Sequence, residues 1–348
     1  MTDAAFLSRV RALTLALSWT FAYCGPLRAQ AIHNVSAERV LATHTHATLD
    51  GAPVITAVAI DAQGRRLATA GDDHVVRIWN VDDGSLVREL RAHADWVRSV
   101  RFDTTGKRLA TAGDDRSLVV WDVDSGQVVH RIPTSAEAIF AVAYSPDGRW
   151  LASAGFGDRV QLIDATSGTV TKTLTCHGCD NRALAISPDG TTLAVAGRDG
   201  HIRLWRLPDG DLLRDIEADK HRIRALAFSE DGRELASGGD GRQICEWNVS
   251  TGELLQALPK RPGRTLSLVF CGAGRLVSGS SENLIRVWDL ASAQEQLELV
   301  GHTGSVTTLA WHGQRALLVS GSFDTTVRLW NLGGQPLNKP VRQAARPR

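Results

Sequence analysis

Three residues near the end of the chain, His302, Ser320 and Asp324, are of the types that nucleophilic catalysis uses. In a serine hydrolase the histidine takes the proton of an exposed serine, and the carboxylate orients the histidine. The chain contains no G-x-S-x-G elbow that would expose such a serine. The same residue types recur at the same spacing earlier in the chain, as His93, Thr111 and Asp115. A set that repeats favours a structural role, so no catalytic residue is predicted.

A second motif that could do chemistry is the C-x-x-C formed by Cys176 and Cys179. A zinc site would need two further ligands, and no second C-x-x-C is present. Covalent haem needs a histidine directly after the motif, where Asp180 stands, and a redox site needs a following helix. We therefore expect no metal and no cofactor. In an oxidising compartment we expect a local disulfide between Cys176 and Cys179.

The elements that must position these residues repeat along the chain. A short apolar run ending in a marker residue, as in VVRIWN and LIRVWD, recurs seven times at intervals of 41 or 42 residues. The markers are Trp79, Trp121, Ile163, Trp205, Trp247, Trp288 and Trp330. Ten positions before each marker stand Thr69, Thr111, Ser153, Val195, Ser237, Ser278 and Ser320. A period of this length indicates an array of similar structural units.

Each copy carries three apolar or alternating β-type runs separated by Gly, Asp, Asn and Pro turns, and a fourth run follows the marker. Four strands per copy are typical of a propeller blade, and the lack of long helical patterns excludes parallel α/β folds and helical solenoids. The repeats resemble the WD-repeat family of β-propellers, from about Glu38 to the end of the last copy. The resemblance implies an all-β fold, a seven-bladed β-propeller of four-stranded antiparallel blades.

The resemblance also implies a buried hydrogen-bonded set in each blade. Its members are the marker Trp, the Ser or Thr ten residues before it, an Asp six before it and a His 28 before it. Two copies carry the complete set: His93, Thr111, Asp115 and Trp121 in blade two, and His302, Ser320, Asp324 and Trp330 in blade seven. Other copies lack members, and Val195 replaces the hydroxyl in blade four. We expect slower hydrogen exchange in blades two and seven than in blade three.

A ring of sheets must also close, because an open end exposes strand edges and apolar faces. The segment from Arg39 to His46 reads like the outer strands that follow the other markers. We expect it to pair into the seventh blade. The alternative is the C-terminal tail after Asn331, which also resembles an outer strand.

Members of the resembled family bind peptides or proteins with the loops of one face. On that face, the position of Arg98 is occupied by Thr56, Phe140, Arg182, Arg224, Leu266 and Thr307 in the other copies. Arginine and aromatic residues together are typical of interface hot spots. We therefore predict an arc for an acidic or C-terminal peptide segment, made of Trp96, Arg98, Phe140, Phe156, Arg182, Arg198, Arg222, Arg224 and Arg264. The alternative is that these are ordinary surface residues.

Residues 1–31 look like a secretory signal peptide. Two arginines precede an apolar run from Ala12 to Cys24, and Ala29-Gln30-Ala31 supplies the small residues of a cleavage site. The apolar run is too short to span a bilayer. We expect a single propeller domain over residues 32–348, with a short C-terminal tail, in the periplasm or secreted. The alternative is a cytoplasmic protein with an uncleaved leader.

Composition narrows the function further. The chain is 43% hydrophobic and 22% charged with a formal net charge of +1, which argues against disorder and against nucleic-acid binding. We expect a monomeric, non-catalytic platform for protein or peptide partners, with no permanent membrane span. The alternative is an enzyme or cofactor-binding propeller of lactonase-like or quinoprotein-like kind. Such a protein would need carboxylates, His or Arg converging on the central channel, a ring that the sequence does not display.

Overall fold

The computed structural model of the chain describes residues 33–37, 39–42, 52–133, 137–176, 180–272 and 274–333. Within these ranges the protein is all-β, with 29 strands and one short 3-10 helix. The strands form seven sheets, each built from four antiparallel strands, and one sheet gains a fifth. The predicted seven-bladed propeller is therefore confirmed.

The strands follow one another in chain order. Strands β1 (His33–Ser36) and β2 (Arg39–Ala42) precede blade one, which holds β3 (Ile55–Ile60), β4 (Arg66–Gly71), β5 (Val75–Asn80) and β6 (Leu86–Arg91). Blade two holds β7 (Val97–Phe102), β8 (Arg108–Gly113), β9 (Ser117–Asp122) and β10 (Val128–Pro133), and blade three holds β11 (Ile139–Tyr144), β12 (Trp150–Gly155), β13 (Arg159–Asp164) and β14 (Thr169–Thr175). Blade four holds β15 (Asn181–Ile186), β16 (Thr192–Gly197), β17 (His201–Arg206) and β18 (Leu212–Glu217).

The remaining three blades complete the ring. Blade five holds β19 (Ile223–Phe228), β20 (Glu234–Gly239), β21 (Cys245–Asn248) and β22 (Leu254–Ala257). Blade six holds β23 (Thr265–Phe270), β24 (Arg275–Ser280), β25 (Ile285–Asp289) and β26 (Gln294–Val300). Blade seven holds β27 (Val306–His312), the 3-10 helix Gly313–Arg315, β28 (Leu317–Ser322) and β29 (Thr326–Asn331).

Burial depends on the position of a strand within its blade. The second strand is buried at nearly every position, as in β16, because neighbouring blades cover both of its faces. The fourth strand exposes most of its side chains, as in β18. Small Ala, Gly, Ser and Thr residues dominate the second strands, which read RLATAG in both β4 and β8. Small side chains there allow adjacent blades to pack closely.

The marker residues explain why the chain repeats. Each marker side chain lies in an apolar cluster shared with the preceding blade. Trp79 of blade one, for example, packs against Leu317, Val319 and Leu329 of blade seven. Full burial of a large apolar side chain contributes about 1.5 to 3 kcal/mol, so one marker per repeat ties each blade to its neighbour.

The ring closes at blade seven through the N-terminal segment. Strand β2 pairs antiparallel with β29, with Arg39 opposite Leu329 and Ala42 opposite Thr326. This confirms the prediction for Arg39–Ala42, while residues 43–46 lie outside the described part. The first strand of each blade is its inner strand. The inner strands β27 of blade seven and β3 of blade one are in contact, and the Thr307 Oγ1 donates a hydrogen bond of 2.7 Å to the Ile55 carbonyl. Sheet pairing and blade packing thus both close the ring.

Strand β1 was not expected from the sequence. It adds to the outer edge of blade six in parallel with β26, with His33 opposite Leu297 and Ser36 opposite Val300. The chain then continues directly into β2 on blade seven. A parallel addition covers an outer edge that would otherwise present unpaired backbone groups.

Several sequence predictions fall outside the described residues. The leader (1–31), the C-terminal tail from residue 334 onward and Cys179 lie outside the described residues, so the signal peptide and the disulfide stay predictions. Cys176, the other half of the motif, is buried. Among the described residues, no helix is long and apolar enough to cross a membrane.

Candidate functional site

The aligned position that contains Arg98 has a special backbone in every blade. The pairing register between first and second strands shifts at this residue in all seven blades, which leaves it unpaired as in a β-bulge. A bulge bends its strand and redirects the side chain. We call these seven residues the bulge ring: Thr56, Arg98, Phe140, Arg182, Arg224, Leu266 and Thr307.

Glycine opposite the bulge permits this geometry. In blade two, a Cβ on Gly113 would lie 2.0 Å from the Trp96 carbonyl oxygen, a distance that no side chain tolerates. The same carbonyl accepts a hydrogen bond of 2.9 Å from the Asp114 N–H. Equivalent glycines stand in blades one, three, four and five. The A-G that ends the second strand of blades one to four is therefore a local sequence signal for the bulge.

All seven members of the bulge ring line one depression of about 380 Å³. Its walls are completed by Arg264, Ser281, Ser305 and Phe323. In blades seven and one, the ring residue ties one blade to the next, since Thr307 bonds Ile55 and Thr56 bonds Val97 through their backbone carbonyls. In blades two to five the ring position instead carries an arginine or an aromatic residue.

Five residues of the predicted arc form one continuous stack across blades two to four. The Arg98 Cζ lies 4.4 Å from the centre of the Trp96 ring and 5.5 Å from that of Phe140. The Arg182 Cζ lies 4.2 Å from the centre of Phe140 and 5.2 Å from that of Phe156. Phe140 and Phe156 meet edge to face, with centroids 4.9 Å apart. Such contacts are attractive and fix the orientation of both guanidinium groups.

The arc is less cationic than its sequence indicates, because aspartates hold four of its arginines. Arg98 contacts Asp114 through Nε and Nη2, at 3.0 and 2.5 Å. Arg224 Nε donates to Asp240 at 2.6 Å. Burial favours the neutral form of Asp240, yet the hydrogen bond from Arg224 and the charges of the neighbouring arginines together outweigh it and keep the pKa of Asp240 below its ordinary value.

Positive charge is nevertheless in excess beside blade four. Arg182 and Arg222 share one carboxylate, with Nε 3.1 Å and Nη2 2.9 Å from Asp180. Burial and the neighbouring charge of Arg182 lower the pKa of Arg222, a sign of crowded cations. The Arg198 N–H donates to the Asp180 carbonyl at 3.1 Å, and its side chain is exposed. An anionic group that joins Asp180 here would relieve this imbalance.

The structure thus brings most of the arc together. Five of its residues line the depression or its rim directly, namely Arg98, Phe140, Arg182, Arg224 and Arg264. Sequence reasoning missed Phe323, which lines the same depression and is 45% exposed. Phe323 occupies in blade seven the turn position that Phe156 occupies in blade three. Extending the repeat alignment of that turn to the last copy would have found it.

The side chains of the two complete polar sets are buried inside their blades. In blade seven the Trp330 indole N–H donates to the Ser320 hydroxyl at 2.8 Å, and the His302 Nε2 lies 2.7 Å from that hydroxyl. The His302 Nδ1 lies 2.8 Å from Asp324. Ser320 has no exposed surface, so it cannot meet a substrate.

Blade two repeats this arrangement with Thr111 as the hydroxyl. Trp121 donates to Thr111 at 2.9 Å, while His93 lies 2.7 Å from Thr111 and 2.9 Å from Asp115. Burial favours the neutral form of Asp115, but hydrogen bonds from His93 and two backbone N–H groups outweigh it and lower its pKa. The pKa of Asp324 is lowered against burial in the same way, by bonds from His302, Thr326 and Thr303.

The other blades keep only part of the set. In blades one, five and six the tryptophan N–H still donates to the hydroxyl ten residues earlier, at 2.8 Å in each. In blade four the buried Trp205 N–H has no partner among the described residues, because Val195 supplies no hydroxyl. Elsewhere in the described part, no group of three or more His, Cys, Asp or Glu side chains could hold a metal ion.

These features define a seven-bladed propeller whose complete polar sets are buried. One end of the propeller carries a stack of aromatic residues and arginines. The profile of the WD40 family, described as "WD domain, G-beta repeat", matches residues 39–80, 84–122, 126–164, 168–206, 210–248 and 293–331. The matches cover more than half of the chain, which therefore belongs to the WD40 repeat family. WD40 propellers usually act as non-catalytic scaffolds that bind proteins.

A short stretch of the chain is also similar to a characterised fungal protein. Over 68 residues the chain is 40% identical to the nuclear distribution protein PAC1 of Gibberella zeae. The match covers 20% of this chain and 12% of that protein. The likeness is therefore to one stretch of a much longer protein.

Proposed function

We propose that this chain is a non-catalytic interaction platform that holds a protein partner through an acidic or C-terminal peptide segment bound at the arc. The stack of Trp96, Arg98, Phe140, Arg182 and Phe156 is the observation that carries this proposal. Aromatic and arginine residues that are already oriented lose little entropy when a partner binds, which favours affinity.

The charge distribution supports a partner with a carboxylate. Arg182 and Arg222 share Asp180, and the side chain of Arg198 emerges beside them. A ligand carboxylate in this place would find the Arg182 guanidinium, whose plane the stack has fixed, and the guanidinium of Arg222, which Asp180 holds. The exposed Phe156, at 44%, and the half-buried Trp96 offer apolar area on the same side. We therefore expect peptides that combine a carboxylate with an apolar side chain.

A displayed peptide library selected on the purified full-length protein tests the proposal. We expect enriched peptides to carry acidic residues or a free C-terminal carboxylate. Fluorescence polarisation then gives the affinity of one selected peptide for the variants Phe156→Ala and Arg198→Gln. Both should weaken binding, with Phe156→Ala costing about tenfold, as for a moderate hot spot. Neither substitution removes a partner of a buried aspartate, so both should fold.

The matched control is Arg233→Gln, which removes one arginine whose side chain is 85% exposed at the other end of blade five. It should leave peptide affinity unchanged. Equal losses in Arg198→Gln and Arg233→Gln would show only long-range charge attraction. Selected peptides that bind Phe156→Ala as tightly as the wild type would place the partner elsewhere and contradict the proposal.

We also propose that the protein is exported, with residues 1–31 removed as a signal peptide. The two arginines before the apolar run and the small residues at 29–31 support this. N-terminal sequencing of the mature protein from the native host tests it, since cleavage predicts Ile32 as the first residue. Export would also favour the Cys176–Cys179 disulfide, which titration of thiols in protein purified from the periplasm would detect as two missing thiols.

A further inference from the structure

The first strand of each blade carries a small apolar residue three positions after the bulge ring, except in blade two, where this residue is an arginine. Arg101 lies on β7, three residues beyond Arg98, and pairs with Ala110. At the same register position the other inner strands carry only alanine or valine: Ala59, Ala143, Ala185, Ala227, Val269 and Ala310. Nothing in the packing of a blade requires an arginine there, because six blades form without one.

Arg101 lines a cavity of about 370 Å³. Much of the wall is apolar and comes from five blades, including Ile60, Phe102, Leu184 and Leu226. The cavity is distinct from the depression at the bulge ring, and the two have no lining residue in common. Its volume is within the range of small-molecule sites, which are mostly apolar with a few polar groups that orient the ligand.

The charge of Arg101 has no counter-charge within the described part of the chain. Its described hydrogen bond goes from Nη1 to the carbonyl of the preceding residue, Val100, at 2.9 Å. Most of its five N–H donors therefore have no protein acceptor among the described residues. The side chain is accessible to solvent from the cavity, while the surrounding protein still lowers its pKa by desolvation.

Asp103 is the carboxylate among the residues that line the cavity, and it already accepts hydrogen bonds. Asp103 accepts a hydrogen bond of 2.6 Å from the Thr105 hydroxyl and one of 3.0 Å from the Arg108 N–H, so its turn holds it away from Arg101. Tyr144 also lines the cavity, and its buried hydroxyl has no partner among the described residues. The wall thus holds one unpaired cation beside an apolar surface.

We propose that this cavity binds an organic monocarboxylate with an apolar body, whose carboxylate pairs with the Arg101 guanidinium. A guanidinium matches a carboxylate in a bidentate geometry, which gives this cation its preference over a neutral group. The apolar wall then contacts the hydrocarbon part of the ligand. This site is independent of the peptide site at the arc.

Titration calorimetry of the full-length protein with three probes distinguishes the contribution of the Arg101 guanidinium from that of the apolar wall. Hexanoate has both the charge and the apolar body, acetate has only the charge, and 1-hexanol has only the body. We expect hexanoate to bind with a Kd in the millimolar range and both other probes to bind about tenfold more weakly or worse. Acetate binding as well as hexanoate would show an ion site without a role for the wall and would overturn the proposal.

Variants locate the binding. Arg101→Gln should weaken hexanoate binding about tenfold or more, while Arg233→Gln should leave it unchanged. Circular dichroism and the thermal midpoint check that Arg101→Gln folds, which is expected because its side chain makes one described hydrogen bond. Equal hexanoate affinity in Arg101→Gln and the wild type, or no hexanoate binding to the wild type, would contradict the proposal.

Discussion

Blades seven and four use the same tryptophan position in different ways. In blade seven the Trp330 N–H donates to Ser320, which continues through His302 to Asp324. In blade four Trp205 is buried to a similar degree, but its N–H has no partner among the described residues. Both blades have four strands and the same register. Apolar packing of the marker is therefore sufficient to form a blade, and we expect the polar set to add stiffness.

The same two blades also differ at the depression lined by the bulge ring, where blade four, and not blade seven, carries the cationic side chains. Blade four contributes Arg182 to the stack and Arg198 to the exposed cations beside it. In blade seven the ring residue Thr307 serves as a tie to blade one. The comparison separates polar residues that stabilise the propeller, as in blade seven, from polar residues that are available to a partner, as in blade four. The four predictions below test that separation, from the largest expected effect to the smallest.

Loss of a carboxylate should matter far more in blade seven than in blade three. Asp324→Ala should lower the free energy of unfolding by about 3 kcal/mol, because it leaves the buried His302 ring without its acceptor. Asp158→Ala, at an exposed position of blade three, should change it by less than about 0.5 kcal/mol. Urea denaturation measures both. Equal losses would show that the complete set contributes nothing beyond packing.

Replacing the marker tryptophan should distinguish blades seven and four directly. Trp330→Phe and Trp205→Phe both leave a cavity. Only Trp330→Phe removes a satisfied N–H donor, so we expect it to cost about 1 to 2 kcal/mol more than Trp205→Phe. The difference between the two urea midpoints reports this term. A larger loss for Trp205→Phe would reverse the comparison.

The complete sets should also make stability depend on pH. The pKa values of Asp115 and Asp324 in the folded protein lie below the ordinary value of about 3.9. Each group therefore contributes stability that is complete above that pH and is lost as pH falls through the lower folded value. We expect the melting temperature to decrease as the pH is lowered below about 4. In the double variant Asp115→Asn, Asp324→Asn this decrease should be smaller. Parallel curves for the variant and the wild type would contradict this.

Restoring the hydroxyl in blade four should stabilise the protein slightly. Val195→Thr places an acceptor where the Trp205 N–H lacks one, in a backbone that accommodates Thr111 at the equivalent place. We expect a gain of about 1 kcal/mol in the free energy of unfolding. Val195→Ala is the matched control and should destabilise, since it only removes volume. A loss for Val195→Thr would mean that blade four has no room for the polar set.

The features that could be predicted from the sequence are those that repeat in every blade. The 42-residue spacing of the tryptophans reflects packing of each marker on the preceding blade, so it revealed the number of blades. The same alignment identified the seven residues of the bulge ring, because they share one position, but it did not predict the bulge itself. It could not reveal that Arg222 reaches Asp180, 42 residues earlier, because such a pair depends on how two neighbouring blades face each other.

Local pattern also failed where elements are short. Strand β1 has four residues, and its parallel partner β26 lies more than 250 residues away. Nothing in a four-residue stretch specifies so distant an edge. The cavity around Arg101 was missed for a related reason. Alanine or valine at the six equivalent positions indicates packing, and the sequence does not show that these positions surround a cavity.

Hydrogen exchange of the full-length protein, free and with a selected acidic peptide bound, tests the central claim most directly. In the free protein we expect exchange to be slowest in blades two and seven. On binding, protection should rise at the starts of the inner strands of blades two to four, around Trp96–Arg98, Ile139–Phe140 and Asp180–Arg182. Protection that rises on the outer strands instead, or slower exchange in blade three than in blades two and seven, would contradict the account.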